Sequence, residues 1–213
     1  MIIHDVVQRS SEWAALRLGR LTSSRACDML ATIKSGEAAA RRNLRVQLAL
    51  ERITGRCQEN GYVSKEMERG AALECEAVAA YEAETGQLLS PIGFLAHDEL
   101  LAGCSPDAMV GDIVGCVELK CPKAAIHLEY WRTETIPKDY AAQIQHILWI
   151  SGAAWCDFVS YQPEFPAPLR LKITRVEASE IDFKAYELLV RMFLADVDRE
   201  VEAIRQLAAA VAV

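Results

Sequence analysis

Apolar residues recur with two different spacings along the chain, one typical of helices and one typical of strands. The helical spacing, about 3.6 residues, predicts two short helices within 11–31 and further helices over 38–53, 65–85, 123–132, 138–151 and 178–209. Gly55 and Gly86 follow two of these segments and are suited to end them. The hydroxyl-rich stretch 22–24 is suited to cap the second short helix.

Shorter apolar segments, partly β-branched or aromatic, lie between these helices. They predict strands over 88–96, 100–106, 113–120, 154–161 and 169–176, with a turn at 111–112. Strands that alternate with helices in this way predict an α/β fold with a central sheet and helices on both faces. A chain of 213 residues with 52% hydrophobic content is long enough for one full core, so we expect a single domain spanning 1–213.

The distribution of charge changes what the composition implies. A formal net charge of −7 argues against a nucleic-acid partner, because phosphate backbones are bound by Lys and Arg. Residues 1–69, however, contain 12 Lys and Arg against 8 Asp and Glu, a net +4, whereas residues 70–213 carry a net −11. A local positive surface on an acidic protein is therefore possible. For Arg41, Arg42 and Arg45 a solvated helix face is an equally good interpretation.

The sequence predicts neither a membrane protein nor a disulfide-rich protein. No apolar run reaches the roughly 18 residues of a membrane span, and the N-terminus lacks the pattern of a secretory signal, which predicts a cytoplasmic protein. Seven cysteines without a CxxC pair indicate reduced thiols. A zinc site formed by Cys104, Cys116 and Cys121 is a weaker alternative, since structural zinc sites usually use close ligand pairs.

The segment CSPDAMVGDIVGCVELKCP, residues 104–122, places three charges among apolar residues. Glu118 and Lys120 are two apart, so on a strand they share a face, and a hairpin at 111–112 brings Asp107 beside Glu118. Two adjacent carboxylates, with the Leu119 carbonyl as an extra ligand, suit Mg²⁺ or Mn²⁺. Lys120 beside such an ion suits metal-assisted hydrolysis of a phosphodiester. The simpler alternative is a surface hairpin with a Glu–Lys pair.

Three further segments accompany this one in a specific order and spacing. They are EWAALRLGRLTSS at 12–24, RGAALECEA at 69–77 and YAAQIQHILWISG at 140–152. Over about 13–163 the chain thereby resembles the lambda-exonuclease family of phage-type alkaline nucleases, within the PD-(D/E)xK superfamily. The resemblance implies a restriction-endonuclease-like core with a central mixed sheet flanked by helices on both faces.

The resemblance also implies roles for single residues. The implied metal ligands are Asp107, Glu118 and the Leu119 carbonyl, completed by Glu74, with Lys120 as the catalytic lysine. A pocket for a DNA 5′-phosphate is implied for Arg17, Ser24, Ser105 and Gln143, and positioning roles near the metal for Tyr140 and Gln145.

Taken singly, several of these residues have simpler interpretations. Glu74 reads as an exposed helix carboxylate, Ser24 as a helix cap and Ser105 as a turn residue. Gln143 reads as an ordinary polar helix residue. Trp13 and Trp149 are interpreted as core residues rather than as platforms for base stacking.

The function implied is a Mg²⁺-dependent exonuclease, with Mn²⁺ able to substitute. It degrades double-stranded DNA 5′ to 3′ from 5′-phosphorylated ends, releasing mononucleotides and leaving a 3′ tail. A homotrimeric ring around DNA, a single-strand annealing recombinase as partner, and the cytoplasm of a bacterial host or prophage carrier are implied with it. The alternatives are an endonuclease of the same superfamily and a non-catalytic module that binds DNA ends.

Overall fold

The computed structural model describes residues 1–58 and 65–211. Its helices are α1 (Ser11–Arg17), α2 (Ala26–Leu30), α3 (Ala39–Thr54), α4 (Lys65–Thr85), α5 (Ala124–Thr133), α6 (Lys138–Ser151) and α7 (Phe183–Val211). Each corresponds to a predicted helix. In the described residues, no helix is both long and apolar enough to cross a membrane.

Helix boundaries follow from local chemistry. Gly55 and Gly86 end α3 and α4 with left-handed φ values of 63° and 69°, as predicted. Helix α7 begins five residues later than predicted, because the Asp182 carboxylate caps it by accepting from the backbone N–H of Ala185 at 3.0 Å. The capping prediction for 22–24 is wrong, since this stretch enters a 3₁₀ turn without a side-chain cap.

The strands are β1 (Ile2–His4), β2 (Leu21–Thr22), β3 (Leu89–Ser90), β4 (Phe94–Ala96), β5 (Ala102–Cys104), β6 (Ala108–Val110), β7 (Gly115–Lys120), β8 (Trp155–Tyr161) and β9 (Leu171–Glu177). They form a five-stranded sheet in the order β3-β6-β7-β8-β9 and a four-stranded sheet in the order β1-β4-β5-β2. Both sheets are mixed, because β7 runs parallel to β8 and β2 runs parallel to β5.

The strand prediction for 88–96 requires a correction, because this segment is divided between the two sheets as β3 and β4. Pro91 cannot donate to a ladder, and a Cβ on Gly93 would lie 2.4 Å from the carbonyl oxygen of His4. The chain therefore leaves one sheet and enters the other between these strands. Strand β6 was not predicted, so Asp107 precedes a new strand instead of ending the strand 100–106.

Helices cover both faces of the five-stranded sheet, as predicted. Val117 and Leu119 of β7 pack with Ala77 and Tyr81 of α4 on one face. On the other face, Phe158 of β8 contacts aromatic rings of α5 and α6, and this core continues to α3 and α7. The carboxylate of Glu118 lies on that second face, within reach of α6. The sheet thus holds Glu118 and Lys120 in place by burying their neighbours on the opposite side.

All seven cysteines are free thiols. Cys104 and Cys116 are buried in the larger core, where burial raises the pKa of both thiols above the ordinary value. Cys121 instead lines a cleft at the end of β7. Within 1–58 and 65–211 no zinc-type cluster of these side chains forms.

Candidate active site

A cleft of about 590 Å³ opens where the start of β6 and the end of β7 meet helices α4, α5 and α6. Its walls combine apolar and aromatic side chains with charged ones. The polar and charged members are Arg9, Arg69, Glu74, Asp107, Lys120 and Lys123. A concave site with a few converging charged groups is the usual form of a binding or catalytic site.

Asp107 and Lys120 line this cleft, and the buried Glu118 forms one charged cluster with them. Lys120 Nζ donates to Glu118 Oε1 and lies 3.8 Å from Asp107 Oδ2. Asp107 Oδ2 also accepts the backbone N–H of Leu119 at 2.7 Å. Strand β6 pairs antiparallel with β7 through the turn at Gly111, so the predicted hairpin does bring both carboxylates to one ammonium group.

The electrostatics of the cluster are unbalanced. Burial raises the pKa of Glu118 to about 7, and the neighbouring Asp107 charge adds to this effect, while Lys120 and Gln143 oppose it. Burial lowers the pKa of Lys120, but the charges of Glu118 and Asp107 outweigh burial and raise it above its ordinary value. Two acids share one base, which leaves an excess of negative charge that a cation would offset.

The donor set fits a hard divalent cation. Glu118 Oε2 is buried and has no hydrogen-bond partner in the described part of the chain, which is unusual for a carboxylate oxygen. Asp107 supplies a second carboxylate, and Leu119, which follows Glu118 in sequence, also lines the cleft. Among residues 1–58 and 65–211, no three Asp, Glu, His or Cys side chains already surround one point.

Glu74 reaches the same cleft from α4, where Arg9 Nη2 lies 3.5 Å from its Oε2. Arg9 adopts a left-handed φ of 68°, which is uncommon for residues other than glycine. The preceding Gln8 donates to the carbonyls of Ile92 and Pro106 at 2.8 Å each. This turn is therefore held against the segment that leads into Asp107, and Glu74 faces Arg9.

Three of the four predicted phosphate-binding residues are grouped around Trp13. The Arg17 guanidinium lies 4.1 Å from the Trp13 ring centroid, and Arg17 Nη2 is 3.5 Å from Ser24 Oγ. The indole N–H of Trp13 donates to Ser105 Oγ at 2.8 Å. The interpretation of Trp13 as a core residue is wrong, because this half-buried ring links the side chains of α1 to the segment before Asp107. Trp149, in contrast, packs against the larger core as predicted.

The fourth residue, Gln143, lies elsewhere in the site. Its amide Nε2 donates to Glu118 Oε1 at 2.6 Å, so it contacts a predicted metal ligand. Tyr140, one turn earlier on α6, places its ring 5.3 Å from Lys120 Nζ. Gln145 is half-buried two positions after Gln143, and residues two apart on a helix do not share a face.

Comparisons with known proteins decide the family. A model of the YqaJ-like viral recombinase domain matches residues 12–154. The chain belongs to the YqaJ-like viral recombinase family. None of the curated proteins compared with it matches.

Solved structures agree with membership of the YqaJ-like family. Two crystal structures of LHK-Exo, an alkaline exonuclease from Laribacter hongkongensis, match with a TM-score of 0.85; one of them is a complex with dAMP. They are 34% and 36% identical to this chain, and the matches cover 95% of it and 100% of the LHK-Exo chains. The predicted relationship to phage-type alkaline exonucleases and the restriction-endonuclease-like fold are thereby confirmed.

A more distant relative shares only the fold of this YqaJ-like family member. A phage related exonuclease from Haemophilus somnus 129PT matches with a TM-score of 0.59 at 12% identity, over 90% of this chain and 96% of that one.

Sequence reasoning missed two arginines of the cleft in this YqaJ-like family member. Arg69 Nη1 donates to the carbonyls of Cys121 and Pro122 at 3.0 and 3.2 Å, and so fixes the segment after Lys120. Arg69 is the first residue of the RGAALECEA segment, so its place in that motif could have marked it as a site residue. Arg9 gave no such signal, because only the fold brings its turn to Glu74.

Proposed function

We propose that this YqaJ-like family member is a Mg²⁺-dependent exonuclease that degrades double-stranded DNA 5′ to 3′ from 5′-phosphorylated ends. It releases mononucleotides and leaves a 3′ single-stranded tail for phage-type homologous recombination. The observation that carries the proposal is the excess negative charge of the Asp107–Lys120–Glu118 cluster at an open cleft. The alkaline exonuclease LHK-Exo supports it, and its complex with dAMP contains a nucleoside monophosphate, the class of product expected here.

The residues suited to hold Mg²⁺, or Mn²⁺ in its place, are Asp107, Glu118, Glu74 and the carbonyl of Leu119. Such an ion, when bound, polarises a phosphoryl oxygen and offsets charge on the leaving 3′-oxygen. Lys120 holds its ammonium group at the edge of the carboxylates. There it orients the attacking water and offsets the charge that develops on the phosphate.

Side chains of α6 support this arrangement. Gln143 donates to Glu118 and restricts the orientation of that carboxylate. The ring of Tyr140 lies beside Lys120 and stacks on Phe158 with 5.3 Å between the ring centroids, so it limits where the lysine can move. We assign Gln145 a positioning role on the same helix.

Polarity of degradation comes from the group around Trp13. Arg17, Ser24 and Ser105 offer a guanidinium and two hydroxyls, which suit a terminal phosphate, and Gln143 extends the donor set towards Glu118. Holding a 5′-phosphate there, one nucleotide from the metal ligands, determines which bond is cut.

The proposal includes an assembly and a setting. Helix α7 exposes the apolar side chains of Leu188, Leu189, Met192 and Leu207, which are 45–67% accessible in the isolated chain. Apolar patches of this kind suit an interface between copies, and we propose a homotrimeric ring that encloses DNA. A single-strand annealing recombinase in the bacterial cytoplasm, in a phage or prophage system, would use the exposed tail.

A comparison of substrates tests the proposal. Linear duplex DNA labelled at its 5′ or 3′ ends and a covalently closed plasmid are incubated with the protein and Mg²⁺. We expect mononucleotides from the linear 5′ ends and an intact plasmid. Cleavage of the plasmid would favour an endonuclease, and binding to ends without any cleavage would favour a non-catalytic module.

A further inference from the structure

We propose that Arg20 is a second guanidinium of the 5′-phosphate pocket and sets the preference of the enzyme for phosphorylated over hydroxyl ends. This inference rests on the proposed function, because it adds a specificity-determining residue to that site. Arg20 lies outside the set of residues for which the family resemblance implied a role.

Arg20 lines a small pocket of about 70 Å³ together with Arg17, Arg25, Trp13 and Thr22. Among the described residues, this pocket shares no lining residue with the cleft at Asp107 and Lys120, and Arg17 is the one proposed phosphate ligand that lines it. It is nevertheless close to the catalytic cluster, since Trp13 forms part of its wall and donates to Ser105, two residues before Asp107. An anion bound in this pocket would therefore lie one aromatic ring away from the segment that carries the first metal ligand.

Arg20 differs from its neighbours in what its charge contacts. Arg25 pairs with Asp28 at 2.9 Å and donates to Gln47, and Arg52 pairs with Asp198 at 2.7 Å. Arg20 is half-buried, yet within the part of the chain that the structure describes it has no ion pair, and burial lowers its pKa. A guanidinium that is partly withdrawn from water without a carboxylate partner is suited to bind an anionic ligand.

The turn that carries Arg20 is held firmly. Gly19 has a left-handed φ of 67°, its N–H donates to the buried Glu51 carboxylate at 2.9 Å, and its carbonyl accepts from Arg52 at 2.8 Å. A Cβ at Gly19 would lie 2.7 Å from Arg52 Cγ, so the close approach of the turn to α3 requires glycine. The Arg20 side chain is therefore presented from a fixed backbone position.

Among the described residues, Glu51 is the one carboxylate that lines this pocket, and its oxygens already accept hydrogen bonds. Glu51 accepts hydrogen bonds from the N–H of Gly19, from Gln47 at 3.2 Å and from the N–H of Gln58 at 3.1 Å. None of these donors is Arg20, and no ion pair joins Glu51 to Arg20 within the described residues. A 5′-phosphate monoester carries roughly −1.5 to −2 at neutral pH, more than an internal diester, and a 5′-hydroxyl carries none. Two guanidinium groups match the terminal monoester best.

The test compares Arg20→Ala, Arg20→Lys, Arg17→Ala and Arg42→Ala with the parent on one linear duplex bearing either 5′-phosphate or 5′-hydroxyl ends. The ratio of kcat/KM for the two ends is measured for each protein. We expect Arg20→Ala to lower this ratio about tenfold, because charge-assisted hydrogen bonds to the phosphate are lost. Arg20→Lys should be intermediate, since an ammonium keeps the charge but not the planar fork. Arg42 is exposed on α3 and lines neither pocket, so Arg42→Ala should keep the parental ratio.

Each other outcome overturns a definite claim. If Arg20→Ala and Arg20→Lys slow both substrates equally, or keep the parental ratio, Arg20 is not part of the pocket. If the parent is active but does not distinguish the ends, the assignments of Arg17 and Arg20 are both wrong. If the parent degrades neither substrate, the proposed function itself fails. Loss of the preference in Arg17→Ala but not in Arg20→Ala contradicts only the inference about Arg20.

Discussion

Two buried charge clusters lie on opposite faces of the same sheet. In the register of β7 and β8, Val117 pairs with Asp157 and Glu118 pairs with Phe158, so Asp157 faces α4 while Glu118 faces α6. Both carboxylates are 1% exposed. Because the two carboxylates are equally buried, the clusters differ mainly in the groups that contact each carboxylate.

The cluster on the α4 face is balanced. Arg175 donates to both oxygens of Asp157 at 2.8 Å, and the Tyr81 hydroxyl donates to the second oxygen at 2.8 Å. One acid meets one base, and each acceptor is used. At Glu118, by contrast, two acids share one lysine and one buried oxygen has no partner in the described residues. We therefore expect the first cluster to stabilise the fold, whereas the second has an excess of negative charge that a bound cation would offset.

The largest expected effect on stability is at the balanced cluster. Asp157→Ala leaves Tyr81 and Arg175 without their acceptor, and breaking a buried pair in this way destabilises by about 3–5 kcal/mol. Because Arg175 is 39% exposed and can turn towards water, we expect the lower end of that range. Urea unfolding of the parent and of Asp157→Ala measures this loss in the free energy of unfolding. The control is Glu99→Ala, whose carboxylate is 72% exposed and pairs with Arg191, itself 45% exposed, with an expected loss under about 1 kcal/mol. If both variants lose the same free energy of unfolding, the cluster on the α4 face contributes no more to stability than a surface ion pair.

The second prediction concerns activity at the unbalanced cluster. Lys120→Ala removes the ammonium group beside both carboxylates, and we expect turnover on linear duplex DNA to fall by about 10²–10³, with DNA binding retained. Lys172→Ala is the matched control, because Lys172 also lies over an aromatic ring, 4.7 Å from that of Trp131, but outside the cleft. Wild-type turnover in Lys120→Ala would remove the lysine from the mechanism.

Much of the fold could be predicted because long elements repeat their pattern. Helices α3, α4 and α6 and strand β7 are within one or two residues of the predictions, since each has several turns or alternations of apolar residues. Strands β1, β2 and β6 have two or three residues each and are too short to show a period. The site followed the same rule: Glu118 and Lys120 could be paired from their spacing alone, and Asp107 could be added from the turn that joins β6 to β7.

The remaining parts of the site depend on contacts between distant segments. Arg9 reaches Glu74 across 65 positions of sequence, and Trp13 reaches Ser105 across 92. No local pattern encodes such contacts. The partner of Gln143 could not be deduced either, because a polar helix residue does not reveal whether it donates to a phosphate or to Glu118.

The third prediction separates the clusters by their response to pH and metal. The pKa of Glu118 is raised from the ordinary 4.5 to about 7. Without metal, the ionisation of Glu118 therefore lowers the free energy of unfolding progressively as pH rises from 4.5 to 7. Glu118→Gln lacks this penalty. We therefore expect its stability relative to the parent to increase over that window, by at most about 3 kcal/mol, and then to level off above pH 7.

The difference between the two proteins is the informative quantity, because other buried groups titrate in the same window. Burial lowers the pKa of His146 to about 3, so the folded state becomes less stable as pH falls below 6.5. This pH dependence is opposite in sign to that of Glu118. That contribution is common to parent and variant and cancels. Addition of Mg²⁺ above pH 7 should raise the melting temperature of the parent but not of Glu118→Gln, since only the parent has the second carboxylate. A constant difference across pH, unaffected by Mg²⁺, would contradict both the raised pKa of Glu118 and its proposed role as a metal ligand.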